Sequence, residues 1–191
     1  MNTNFLAYFN RFSFLSLEDI KLISSLVRVK KVSPGDIIVR EGELFYFMIF
    51  IVKGMLRNYV IGSSGEERTV YLAHEGMQNG CPESIFQDKP ATATIEALEP
   101  SILIYLDIQK LDKLALNRPV LLRFKIRNME TSFMDIVNRV KFLTDLTPEE
   151  RYLQVRDTYP VFIRRVPQKY LASYLCITPV SLSRIKARLT K

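Results

Sequence analysis

The sequence predicts an α+β chain: a β-barrel or sandwich first, a long helix next, and a helix-turn-helix last. Three observations predict it. Between Val27 and Asp107, short apolar or alternating stretches are broken at fairly regular intervals by Gly and Pro, the pattern of many short strands closed into a barrel or sandwich. From Pro119 the apolar residues recur at spacings of four and three, the period of a helix face. The C-terminal segment PQKYLASYLCITPVSLSRIKARLTK holds two short apolar-faced stretches separated by a tight turn.

Composition bounds the function. The chain has 191 residues, 48% hydrophobic and 25% charged, enough to bury a core in one large domain or two small ones. The longest apolar run, Leu44 to Val52, is nine residues, too short to span a bilayer. The start, MNTNFLAYFNRF, lacks the charged-then-apolar order of a signal peptide, so a soluble cytoplasmic protein with no membrane contact is expected. Cys81 and Cys176 are the only cysteines and His74 the only histidine, too few for a four-ligand zinc or iron–sulfur site. No G-x-S-x-G, P-loop or G-x-G-x-x-G is present. The expectation is a non-enzyme without metal or cofactor.

Taken in order, residues 16–26 read as a short helix capped by Ser16, with Asp19 in the capping-box position. Strands follow at 27–32, 37–40, 46–53, 55–61, 67–73, 93–98 and 101–106. The SSGEE segment is a hairpin turn with Gly65 at positive φ. LFYFMIFIV is apolar on both faces, as a central strand requires. Asp107 caps a short helix carrying Ile108, Leu111 and Leu114. Pro119 opens the long helix, where Leu122, Ile126, Met129, Phe133, Ile136, Val140 and Leu143 form a heptad seam. Such a seam packs two helices side by side in a parallel homodimer; the competing reading lays it on the protein's own barrel. Thr147-Pro148-Glu149-Glu150 is a capping box that starts a further helix, ended at Tyr159-Pro160.

Charge divides at Asp107. Residues 1–107 carry 10 Lys/Arg and 13 Asp/Glu, net −3; residues 108–191 carry 17 and 7, net +10. From Arg164 to Lys191 there are seven basic residues and no acidic one. One basic end suggests a nucleic-acid or anionic-membrane contact confined there.

That end carries the helix-turn-helix. Pro167 opens a helix with Leu171, Ala172 and Leu175; Cys176-Ile177 turn; Thr178 caps a second helix with Pro179 at its first position. Ala172 suits a close crossing, and Leu182, Ile185 and Leu189 face inward. The opposite face offers Ser181, Ser183, Arg184, Lys186, Arg188 and Lys191. Arg184 is the expected base contact, to guanine, with Ser181, Lys186 and Arg188 on phosphates. Cys176 stands where Gly is usual, at a cost of about 1 kcal/mol if the left-handed turn is kept.

This order of parts resembles the Crp/Fnr family of bacterial transcription regulators. PGDIIVREGE at 34–43 is similar to the family's first barrel hairpin, IVKGMLRNYVIGSSGEERTVYLAHEG at 51–76 to its next strands, ATIEALEPSILIYLD at 93–107 to the strands before the helical part, and NRPVLLRF at 117–124 to the start of its dimerisation helix. The resemblance implies a jelly-roll-like, cyclic-nucleotide-binding-like effector barrel over 1–117, a dimerisation helix over 118–145 and a winged helix-turn-helix over 146–191. It implies a homodimer on a palindromic operator in double-stranded DNA, with RNA polymerase and an unidentified small-molecule effector as further partners. The family's nucleotide pocket uses a Gly-Glu pair and, ten residues on, an Arg followed by Ser/Thr. Here those positions read Gly80-Cys81 and Ala91-Thr92. Both charged anchors are missing, and an arginine fork to phosphate is hard to replace, even with Lys89 two residues away. Thr131-Ser132 lies a turn before the place, near Asp135-Ile136, where the family meets adenine. The pocket is therefore expected to have lost cAMP binding. Cys81 is expected to be a buried inert thiol, with a thiol sensor as the alternative. Against a DNA-binding regulator stand two rival readings: a ligand-binding module whose basic tail meets a protein or membrane, and a metal-dependent barrel enzyme.

Overall fold

The computed structural model describes residues 8–189; Lys191, expected on the exposed basic face, lies outside them. A short helix α1 (Leu17–Ser25) is followed by strands β1 (Val27–Val32), β2 (Ile37–Val39), β3 (Phe47–Lys53), β4 (Met55–Ile61), β5 (Glu67–His74) and β6 (Gln78–Asn79). Helix α2 (Pro82–Gln87), β7 (Thr94–Ala97) and β8 (Ser101–Asp107) complete the β-rich part. The rest is helical: α3 (Ile108–Ala115), α4 (Pro119–Thr144), α5 (Pro148–Thr158), α6 (Pro160–Arg165), α7 (Gln168–Tyr174) and α8 (Pro179–Leu189).

The strands form two four-stranded sheets, ordered β1-β8-β3-β6 and β2-β7-β4-β5. Strand β3 is interior, antiparallel to both β8 and β6, which explains its apolar residues on both faces. On one face Phe50 and Val52, with Ile104 and Leu106 of β8, join a cluster with Phe9, Phe12, Ile23, Leu111, Leu121 and Phe124. On the other, Ile49, Ile51 and Leu103 are at most 2% exposed. Gly54, between β3 and β4, has φ +102°, and a Cβ there would stand 2.0 Å from Ser101 Oγ. Only glycine fits that crossing.

The expected caps form. Ser16 accepts from the Asp19 N–H and Asp19 reaches back to Ser16. Asp107 caps α3 by accepting from the Lys110 N–H. Thr147 and Glu150 make the reciprocal pair at the start of α5. Three elements lie outside the sequence expectation: β6, which at two residues has no period to read; α2, whose Cys81 N-cap makes no side-chain bond; and α6, which Pro160 opens directly after the end of α5. No strand follows β8 among the described residues, so none of them forms the wing that the resemblance implies. The connections between α5, α6, α7 and α8 are one, two and four residues long, too short for paired strands.

Packing divides the chain into two units. One comprises residues up to Asn58 with Leu72–Glu130; the other comprises Tyr59–Tyr71 with the chain from Thr131 onward. These units cut across the expected segments 1–117, 118–145 and 146–191. The tip of the β4–β5 hairpin counts with the helices, and α4 gives its first half to one unit and its second half to the other.

Candidate functional site

In the second unit, α7 and α8 form the helix-turn-helix. Leu171 and Ala172 of α7 and Leu182 of α8 are fully buried, and Ile185 is 6% exposed, so the inner face is the one the sequence indicates. Between the helices Cys176 has φ +55°. The Cys176 N–H donates to Ser173 O and the Ile177 N–H to Ala172 O, both at 3.0 Å. This is a Schellman end with cysteine at the left-handed position. Thr178 Oγ1 then accepts from the Ser181 N–H at 3.1 Å and lies 3.0 Å from Ser181 Oγ, capping α8 ahead of Pro179.

The outer face of α8 carries cations and hydroxyls. Thr178, Pro179, Ser183, Arg184 and Arg188 are exposed; Ser181 and Lys186 are half-buried. No acidic residue lies on α8. Arg184 has no hydrogen bond or ion pair among the described residues, whereas Arg188 pairs with Glu149 of α5. Exposed Arg164, Arg165 and Lys169 add to the same unit's positive charge.

Sequence reasoning missed Arg139 and Arg151, which hold the end of α7 by its carbonyls, Arg139 through Tyr174 O and Arg151 through Leu175 O. The available signal was positional: Asp135, Arg139 and Phe142 share a helix face, and Phe142 is buried. Asp135 on that face bonds with Tyr71, and its burial raises the carboxyl above the ordinary aspartate range.

The seam residues lie on the outside of α4. Leu122, Ile126, Met129, Phe133, Ile136 and Val140 are 40–64% exposed. The inward side of the helix is instead made by Leu121, Phe124 and Asn128 in the first unit and Phe142 in the second.

In the barrel, Cys81 and Ala91 are each 3% exposed, and Gly80 directly precedes Cys81. Burial pushes the Cys81 thiol up to about 12, the state of an inert thiol. Both backbone groups of Ala91 are used: its N–H donates to Glu43 O and its carbonyl accepts from the Gly42 N–H, each at 2.8 Å. Thr92 is exposed and bonds to Glu83, while Lys89 is exposed. The barrel's buried cation is elsewhere. Arg57 is fully buried, its Nη1 2.8 Å from Glu96 Oε1. Arg57 shares a strand face with the buried Met55, a signal the sequence offered. His74 ends β5 beside Glu75. Among the described residues no cluster of three metal-ligating side chains occurs, and no helix is long and apolar enough to cross a membrane.

Comparisons with known proteins agree with this anatomy. Residues 29–118 match the cyclic nucleotide-binding domain family. The transcriptional activator protein Anr of Pseudomonas protegens is 27% identical over 138 residues, covering 72% of this chain and 56% of that protein; the chain thus spans little more than half the length of that relative. FixK2 from Bradyrhizobium japonicum superposes with a TM-score of 0.71 at 17% identity, covering 86% of this chain and 84% of that one. The catabolite activator protein of Thermus thermophilus gives 0.57 at 20% identity, covering 94% and 85%. A cyclic nucleotide-binding domain thus leads into a long helix and a helix-turn-helix, and the chain is similar to transcription regulators of the Crp/Fnr type.

Proposed function

We propose that the chain is a sequence-specific DNA-binding transcription regulator that acts as a homodimer and whose barrel does not take cAMP. The observation that carries the reading is α8: a capped helix on a buried crossing, with Arg184 exposed and no acidic residue on its length. A helix of this kind enters the major groove with its first turns at the base edges. Arg184 supplies a bidentate contact to guanine. Thr178, Ser181, Lys186 and Arg188 hold the register through phosphates. The exposed stripe from Leu122 to Val140 supports pairing of two copies, which sets two recognition helices on a palindrome about 34 Å apart per helical turn of DNA.

The pocket supports loss of cAMP binding. Cys81 and Ala91 are buried without charge where the family's anchors stand, and exposed Lys89 does not replace an arginine fork. An effector of other chemistry acts only by favouring one arrangement of the two recognition helices over another. On this reading the protein is a regulator rather than an enzyme, and it works in the cytoplasm with RNA polymerase as a further partner.

The test is selection of duplexes from a random library by purified protein at physiological salt, with and without cAMP. The expected result is one palindrome recovered equally in both arms. A palindrome recovered only with cAMP overturns the pocket reading. No enrichment in either arm turns the assignment toward a ligand-binding module whose basic tail meets a protein or membrane.

A further inference from the structure

Three successive residues at the end of α7 are gripped by three other elements of the same unit. Ser173 Oγ accepts from the Thr69 N–H of β5 at 2.8 Å. Tyr174 O accepts from Arg139 Nη2 of α4 at 2.6 Å. Leu175 O accepts from Arg151 Nη1 of α5 at 3.0 Å. The next residue is Cys176, at φ +55°, and α8 begins three residues later at Pro179.

A helix leaves its last four carbonyls without partners in the helix. The Schellman bonds to the turn use those of Ala172 and Ser173, and the two arginines take those of Tyr174 and Leu175. Cations at a helix C-terminus also meet the negative end of its dipole. Arg139 is further fixed by stacking, 4.0 Å from the Tyr174 ring centroid and 4.9 Å from that of Phe142. Arg151 spreads its fork across a second junction: Nε donates to Leu146 O at 3.1 Å and Nη2 to Leu143 O at 3.0 Å. One guanidinium therefore ties the end of α4 and the connection into α5 to the turn that aims α8. Both arginines are half-buried and lie off the exposed face of α8.

We propose that Arg139 and Arg151 are positioning residues for sequence recognition: they lock the turn of the helix-turn-helix to the end of α4, so that the direction of the seam helix sets where Arg184 points. The proposal rests on the DNA-binding reading above. Neither arginine is placed to touch a base. Their loss therefore lowers discrimination between sequences while leaving the charge-driven, sequence-independent part of binding nearly intact. Lysine is a poor replacement, because a single ammonium cannot reproduce the planar fork or its stacking.

The test compares Arg139→Met and Arg151→Met with the parent by two readouts, after melting confirms a cooperative fold. The first is the ratio of affinities for the selected palindrome and a random duplex. The second needs no DNA: the labelling rate of Cys176, exposed at the turn, by a thiol reagent at pH 8, where buried Cys81 is slow. The expected result is a selectivity ratio down about tenfold, equivalent to 1.4 kcal/mol, with Cys176 labelling several times faster as the turn loosens. A folded variant that keeps the parent's ratio or the parent's labelling rate overturns the proposal. A methionine variant that does not fold is replaced by Arg139→Lys or Arg151→Lys, judged by the same two readouts. If the parent itself selects no sequence, it is the DNA-binding reading that fails; the labelling rate then decides alone whether the arginines anchor the turn.

Discussion

Arg184 is exposed on α8 without an intramolecular partner among the described residues, so on the proposed reading its guanidinium meets DNA without first breaking a bond. Losing a bidentate contact to guanine costs about 1–3 kcal/mol of discrimination at one base pair. Arg184→Ala is accordingly expected to abolish operator selection while the oligomer keeps its mass by light scattering; unchanged selectivity would remove the base-reading role. At this scale the sequence was legible wherever chemistry is local. Thr178 as a cap and Cys176 in a left-handed turn follow from neighbours one to three positions away, and both are found. Arg139 and Arg151 were not legible as anchors. Their partners lie 35 and 24 residues along the chain, and a side chain reaching a distant carbonyl leaves no periodic trace.

Elements followed the sequence closely where punctuation is dense. Strand limits match within one or two residues because Gly and Pro stop each strand, as at Gly54 and Pro100. Element β6 carries no such signal, since its pairing to β3 rests on two residues. Helix α5 is the best-signed element. Thr147 Oγ1 accepts from the Glu150 N–H, and Glu150 accepts from both the Thr147 N–H and hydroxyl. Those bonds hold the Glu150 carboxyl below the ordinary glutamate range. Because the folded pKa is depressed, the stabilisation is present above the unfolded pKa and fades as pH falls through the folded one. Thr147→Ala is expected to lower stability by about 1 kcal/mol at neutral pH. In urea titrations the gap between parent and variant should narrow below about pH 4; a gap constant down to acid pH would rule out the carboxylate's share.

At the scale of the molecule, the heptad spacing gave the seam but not which surface it meets. The structure leaves that stripe outside, while Leu121, Phe124 and Asn128 take the inward side of α4. On the proposed reading, this unburied stripe of six apolar side chains is the pairing surface. Glutamate in place of Met129 or Phe133 is expected to convert a dimer to a monomer by light scattering, with far-UV circular dichroism unchanged; a dimer that survives both changes is held elsewhere. Charge, too, acts at this scale. Arg188 already owns an anion, the carboxylate of Glu149, and an exposed pair of that kind is weak enough to exchange. On the DNA-binding reading, the protein thus brings its own counterion to the groove. When a phosphate takes Arg188, Glu149 is left beside DNA as a repelling charge. Each phosphate neutralised contributes about 0.9 to the slope of log affinity against log salt, and Glu149 subtracts from that sum. Glu149→Gln is expected to bind random duplex more tightly at low ionic strength and to lose that advantage faster as salt is added. An identical slope would mean that neither Arg188 nor Glu149 counts at the phosphates, and that α8 meets one phosphate fewer per protomer than proposed.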